Sequence, residues 1–440
     1  MLRTLVFSLA ALLAFVAVER PALAADRPNV VILLSDDQRW NDYSFQGHEA
    51  IKTPNIDHLA SQSLVYQRGY VPTSLCRPSL ASLFTGLYPH QNGITGNDPR
   101  ENKRTNEGRA VLVDRFKKNP RLAEILGRHG YVTFQSGKWW EGNPSSGGFT
   151  SGMTHGDVTK GGRHGDVGLT IGRKTMEPVM KFIDESVAAD KPFFLWYAPM
   201  MPHLPHNPPE RILKKYQAEG RPLPVAKYFA MCDWWDETCG QVLDRLEEKG
   251  VADNTIVIYL CDNGWTQLAE AGGGAIGGPR GKRSVYDGGT RTPIMIRYPG
   301  HVKPAENKTA LASSIDVVPT ILAAVGIQTD VHFPGINLLD AEAVDKRQAI
   351  FGEIYAHDIP DYQHPEQGLF YRWVIDGDWK LIVPTGMEEG EYGPKQPALF
   401  NLKSDPEEQK NVFAEHPEVA QQLHKKLDTW WSPKVPKNAS

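Results

Sequence analysis

Two apolar runs with no polar alternation, Asn29 to Leu34 and Thr255 to Cys261, constrain this chain more than any other feature. A strand with one wet face alternates, whereas a strand apolar throughout must be covered on both faces, the setting of a parallel sheet between helices. Further extended runs fall at Leu64 to Tyr70, Tyr131 to Gln135 and Pro192 to Ala198. Helical patterns fall at Pro54 to Ser63, Leu122 to His129, Thr170 to Val187 and Val225 to Gly250, the last with a glycine stop. Strand and helix alternate, so the expected fold is α/β: a large layered domain with a mostly parallel central sheet flanked by helices. After a helix from Ser313 to Val325 the texture changes to short strands and turns, with Trp373 to Val383 the clearest strand pair. A smaller C-terminal α+β subdomain with a short antiparallel sheet is expected there. The division reads 27–344 for the large domain and 345–434 for the small one. Three stretches read as long loops of the kind that carries function: Asn97 to Pro120, Leu204 to Pro224 and Gly264 to Arg291.

Residues 1–24 combine Arg3, an apolar run from Leu5 to Val18 and the small-residue pattern Pro21-Ala22-Leu23-Ala24, which reads as a secretory signal peptide. The run is short for a membrane span, and no later segment approaches its length, so no stable membrane span is expected. A retained N-terminal anchor is the alternative to secreted or periplasmic export. With 48 basic and 52 acidic residues the net charge is −4, which gives no global attraction to polyanions and no reason to expect a nucleic-acid partner. Sulfate or phosphate recognition must then come from locally placed cations. Four cysteines in 440 residues do not make a disulfide scaffold. Cys232 and Cys239, separated by a helical rise of about 10 Å, read as packing residues.

Polar residues gather where the predicted strands end. Asp36-Asp37, Lys138, His203 and Asp262-Asn263 each lie within a few residues of the carboxyl end of a buried strand, where ligands bind in open α/β sheets. Alone, an Asp-Asp pair reads as a turn or helix cap, and each lysine as a solvated loop residue. Two oxygen-bearing pairs after two buried strands fit a hard cation, Ca²⁺ or Mg²⁺, rather than zinc. Cys76 opens a predicted helix with Pro78 in its first turn and Gly86 as its stop. There it meets unpaired N–H groups and a positive dipole end that favour an anion, although a lone cysteine also reads as a small buried residue.

The stretch Cys76-Arg77-Pro78-Ser79-Leu80 through Phe84-Thr85-Gly86 resembles the signature of the arylsulfatase-like sulfatases, formylglycine-dependent members of the alkaline phosphatase superfamily. Asp36-Asp37, Gly137-Lys138-Trp139, Pro202-His203, Asp262-Asn263-Gly264, Gly281-Lys282, Asp287-Gly288-Gly289-Thr290-Arg291 and the closing Asp405-Pro406-Glu407-Glu408 match further motifs of that family in order. The resemblance implies a sulfate ester hydrolase whose Cys76 becomes formylglycine through a maturation enzyme. It implies a calcium held by Asp36, Asp37, Asp262, Asn263 and residue 76, with Mg²⁺ the lesser choice. It further implies Lys138 and Lys282 on the sulfate oxygens and His203 as proton donor to the departing alcohol. These roles suit the chemistry, since spread negative charge calls for fixed cations and the leaving oxygen for a proton. Two positions depart from the family pattern: Leu80 stands at the motif arginine, and Trp140 at a motif histidine. Trp140 and Trp265 could stack on a sugar ring or pack in the core, and His164 in a Gly-rich loop could contact a sugar or be solvated. A sulfated carbohydrate is therefore the expected substrate. A phosphodiesterase or phosphonate monoester hydrolase of the same superfamily, and a non-catalytic binder of sulfated glycans, are the alternatives. Asn307-Lys308-Thr309 has the pattern of a glycosylation acceptor.

Overall fold

A computed structural model of the protein describes residues 27–102, 105–265, 280–386 and 392–433. The leader at 1–24 and most of the Gly-rich stretch after Trp265 lie outside them. In chain order the first nine strands are β1 (Asn29–Ser35), β2 (Leu64–Tyr70), β3 (Asp98–Pro99), β4 (Val132–Gly137), β5 (Ser151–Gly152), β6 (Phe193–Ala198), β7 (Thr255–Cys261), β8 (Arg291–Arg297) and β9 (Ala305–Ser313). All but β3 form one sheet in the order β5-β4-β6-β1-β7-β8-β2-β9. Only β8 runs against its neighbours, so the sheet is mostly parallel, as the unbroken apolar runs require.

Every residue of β1, β6 and β7 is buried. Side chains alternate between two cores, with the period of two expected of a strand. Val30, Ile32, Leu34, Trp196 and Ile258 face the helices Cys76–Thr85, Leu122–Arg128 and Val317–Ala324. Val31, Leu33, Leu195, Tyr197 and Val257 face Pro54–Ser61, Glu177–Ala188 and Leu223–Glu248. A fully buried Val, Leu or Ile contributes about 1.5–3 kcal/mol relative to exposure, so a central strand covered on both sides resists displacement.

The C-terminal part contains β10 (Ala349–Tyr355), β11 (Asp358–Ile359), β12 (Leu369–Asp376), β13 (Trp379–Pro384) and β14 (Ala398–Asn401). Strands β10, β12, β13 and β14 form a four-stranded antiparallel sheet in that order, while β11 pairs with β3. One face of this sheet carries the helix Pro417–Trp430 through Leu423 and Leu427. The other packs Trp373, Ile375 and Ile382 against Tyr70, Val285 and Leu311 of the large sheet's layer.

The long-loop expectation fails in two places. Asn97 to Pro120 contains a helix, Asn106–Phe116, which buries Arg109, Leu112, Val113 and Phe116 on one stripe and is capped by Thr105, whose side chain accepts from Gly108 N. Its charged outer face masks that stripe, in which an arginine takes a position that an apolar residue ordinarily fills. Leu204 to Pro224 contains Glu210–Tyr216, which buries Ile212, Leu213 and Tyr216. The helix read over Thr170 to Val187 begins only at Glu177, because Pro178 is tolerated in a first turn and not inside a helix. The four described cysteines are free and buried.

Candidate active site

Strands β4, β6, β1 and β7 are consecutive parallel neighbours, so their carboxyl ends open on a single edge. β1 delivers Asp36 and Asp37, and β7 delivers Asp262 and Asn263, with Ser35 directly opposite Cys261 in register. β4 ends at Gly137, whose φ of 79° turns the chain into Lys138; a Cβ here would lie 1.9 Å from the Ala198 carbonyl oxygen, so only glycine fits. Lys138 N then donates to that same carbonyl at 2.6 Å. Beyond β6, Met201 O accepts from Asp36 N at 3.0 Å, which ties the His203 segment to the metal-type carboxylates.

These side chains meet. Lys138 Nζ donates to Asp36 at 2.5 Å and to Asp262 at 2.9 Å. Lys282 Nζ lies 2.5 Å from Asp37 and 3.0 Å from Cys76 Sγ. Asn263 Nδ2 donates to Asp37 at 2.7 Å, and Asp37 N donates to Asp262 at 3.2 Å. His203 Nε2 is 3.4 Å from Asp37 Oδ2, while its Nδ1 lies 2.6 Å from Leu204 O. Cys76 opens the helix Cys76–Thr85, and Ser79 Oγ on that helix's first turn donates to Asp262 O at 2.5 Å. Gly86 ends the helix in the left-handed region.

Burial dominates the titration of the cluster. It lifts Asp36 and Asp262 to about 6 against the pull of Lys138. Burial acts upward on Asp37 too, but Lys282 and His203 outweigh it and hold this carboxyl below the usual range. Burial pushes His203 down to about 4, with Asp37 opposing. For Lys138 and Lys282 burial acts downward, yet the neighbouring aspartates prevail and keep both ammoniums charged. Burial raises the Cys76 thiol against the pull of both lysines, and a protonated thiol is a poor nucleophile.

Three carboxylates face two ammoniums, which leaves the cluster one charge short of neutral when all are ionised. Two of its oxygens, Asp36 Oδ2 and Asn263 Oδ1, are buried with no hydrogen-bond partner. Buried orphan acceptors are costly, and acceptors of this kind are the groups a cation satisfies. One ligand atom from each of Asp36, Asp37, Cys76 and His203 falls within a 4.8 Å span. With Asp262 and the orphaned Asn263 oxygen beside them, the two aspartates supply the oxygen ligands a hard cation takes, whereas the sulfur and imidazole of that group suit it less.

The other expected positions divide. Leu80 is 4 % exposed and belongs to the core, so it makes no polar contact with residue 76. Arg77, wholly buried, grips Glu141 with Nε and Nη2 at 2.7 and 2.6 Å, and its amide donates to Asn97. Trp140 and Trp265 do not offer the free faces a sugar would need, because each is 3 % exposed. The guanidinium of Arg163 lies 4.6 Å from the Trp140 ring centroid, and Tyr228 stacks on Trp265 at 3.7 Å. His164 packs edge-on against Trp140, its carbonyl accepts from Trp139 N, and its Nδ1 has no partner. Burial lowers His164 to about 3. Glu141 and Arg173, both in contact with the site's loops, escaped the sequence reading. Glu141's position three residues past Lys138 was its only local signal, and Arg173 had none.

Carboxylates, lysines and a helix start converge at the carboxyl edge of a parallel sheet, the place where ligands bind in open α/β folds. A family model described as Sulfatase matches residues 28–327, and one described as N-sulphoglucosamine sulphohydrolase, C-terminal, matches residues 278–432. The chain belongs to the sulfatase family. N-acetylgalactosamine-6-sulfatase of Homo sapiens is 29% identical over 353 residues, covering 72% of this chain and 66% of the human protein. The chain thus spans just under two thirds of that relative's length. Arylsulfatase A of Homo sapiens is 28% identical over 486 residues, covering 94% of this chain and 89% of its own. The crystal structure of Ps i-CgsB shares the fold, with a TM-score of 0.73 at 22% identity over 93% of this chain and 94% of that one.

Proposed function

We propose that the protein hydrolyses a sulfate ester on a saccharide, with a nucleophile derived from Cys76 and a calcium ion held by Asp36, Asp37, Asp262 and Asn263. The observation that carries this reading is the shared contact of Lys282 with Asp37 and Cys76, closed on the other side by Lys138 between Asp36 and Asp262. When present, a formylglycine hydrate supplies a hydroxyl nucleophile at residue 76 and the cation supplies fixed positive charge. Lys138 and Lys282, held charged by the aspartates, bind the sulfate oxygens and stabilise the charge that spreads over them as the S–O bond breaks. His203 gives a proton to the departing alcohol from its imidazolium form, which burial makes a minor species near neutrality. Its Nδ1–H is held by Leu204 O, so Nε2 is the nitrogen that gains and gives the proton.

The name of the human N-acetylgalactosamine-6-sulfatase supports a sugar sulfate as the substrate class. His164, at the edge of Trp140, is the imidazole available where the family motif has histidine. Conversion of Cys76 calls for a maturation enzyme that accepts Leu80. The N-terminal pattern supports export, and among the described residues no helix is long and apolar enough to cross a membrane. On this reading residues 27–344 carry the chemistry and 345–434 brace it. Sulfate and phosphate esters of one alcohol, assayed side by side, test the reaction class. Faster turnover of the sulfate is expected. A preference for the phosphate, or binding of sulfated glycans with no turnover, contradicts the reading.

A further inference from the structure

Arg173 lies between β5 and β6 in a tight turn closed by an Ile171–Thr175 bridge, thirty residues before His203. All five of its N–H donors are used, and all point into the segment 200–207. Nε donates to Met200 O at 3.2 Å, and Nη2 donates to Met200 O and, at 2.7 Å, to His203 O. Nη1 donates to Pro205 O at 3.0 Å and to Asn207 Oδ1 at 2.6 Å. The segment needs such a partner, because Pro199, Pro202, Pro205, Pro208 and Pro209 lack the N–H groups with which a chain normally fastens itself. The turn is also pressed against its client: at Gly172, with φ of 71°, a Cβ would lie 2.8 Å from Met201 Cε and 3.0 Å from Pro199 Cβ.

We infer that Arg173 is the positioning residue of the proton donor, fixing the backbone on both sides of His203 so that Nε2 stays over Asp37. The inference rests on the assignment of His203 as the acid. Only a planar guanidinium presents five donors in a rigid fork, so lysine, with three donors on a flexible stem, replaces it in charge and not in geometry. Arg173 makes no hydrogen bond to the carboxylate and lysine cluster and reaches it only through the field it shares with Asp36, which R173K keeps, so the geometric part of its effect passes through the position of His203.

The test uses the full-length protein and two aryl sulfates that differ in the acidity of the leaving phenol. Phenyl sulfate needs a proton on its departing oxygen, whereas 4-nitrophenyl sulfate leaves as a stable phenolate. Displacing a catalytic group by about 1 Å costs on the order of 100-fold. R173M is therefore expected to lose kcat by roughly that factor on phenyl sulfate and far less on 4-nitrophenyl sulfate, with KM little changed and R173K falling between. An equal loss on both substrates, or none, overturns the inference. Amide hydrogen exchange gives a readout independent of turnover: exchange at Met201, His203, Leu204 and Asn207 should quicken in R173M, and unchanged exchange there also overturns it. If the unsubstituted protein turns over neither sulfate while R173M still loosens the segment, it is the proposed sulfate ester hydrolysis that fails on these esters, and the fastening by Arg173 stands.

Discussion

Lys138 is buried to 2 % exposure, yet it remains charged because two carboxylates flank it. Its methylene stem is packed and its ammonium cannot swing to solvent, so it serves as a fixed cation of the type that stabilises developing charge without reorganising. Lys138→Met and Lys282→Met are each expected to lower kcat/KM on a sulfate ester by about 100- to 1,000-fold in steady-state assays. A loss below 10-fold would place the sulfate elsewhere. Asp42, buried against Tyr228, makes a separate prediction. Burial lifts its carboxyl to about 6 while the Tyr228 hydroxyl, donating at 2.7 Å, opposes. A carboxyl raised above its unfolded value of about 3.9 stabilises the fold fully below that pH, and the contribution is lost as pH rises through about 6. The unfolding free energy of the native protein relative to Asp42→Asn should thus fall by about 2 to 3 kcal/mol between pH 4 and pH 7. A constant difference in denaturant titrations contradicts this. At this scale the sequence disclosed residues with a chemical type and a strand end to mark them, such as Asp36 and Lys138. Arg173 and Glu141 were not legible because their partners, backbone oxygens and Arg77, lie tens of residues away in the chain.

The elements that carry these side chains are tied to one another by buried charge. Arg77, beside the nucleophile position, joins the start of the helix Cys76–Thr85 to the chain leaving β4 through its two bonds to Glu141. Removing one partner of a buried pair costs about 3–5 kcal/mol because the other charge is stranded, whereas apolar replacement of both can be neutral. Arg77→Met is expected to lower unfolding free energy by that amount, and the double variant Arg77→Met with Glu141→Leu to recover most of it. Equal destabilisation by single and double variants would remove the pair's role. A second tie, Lys380 on β13 with Asp287 at 2.9 Å and Glu408 at 3.0 Å, fastens the small sheet to the segment that follows Lys282. Strands written as one continuous extended run, such as Leu64–Tyr70 and Thr255–Cys261, were legible to the residue. The helix Asn106–Phe116 was not, since Arg109 sits on its buried stripe and bonds Asp98 there.

Across the whole molecule the parallel sheet brings four strand ends together, and the apolar runs of β1 and β7 were sufficient to place the sheet. They could not place its neighbours, since strand order is set by long-range pairing rather than by local pattern. On the proposed function the cluster's surplus of carboxylate holds a hard cation. A chelator should therefore lower both activity and melting temperature, and calcium should restore both, with the unfolding free energy rising by about 2.7 kcal/mol at a free concentration 100 times the dissociation constant. Unchanged melting with and without calcium contradicts the metal assignment. Lys282 bonds residue 76, whose thiol burial holds protonated. On the proposed function this thiol gives way to an aldehyde. Peptide mass spectrometry of protein purified from its native host decides the matter: the peptide spanning Cys76 is expected to carry formylglycine in place of cysteine. Recovery of only unmodified cysteine at that position, in protein that nonetheless hydrolyses sulfate esters, would contradict it.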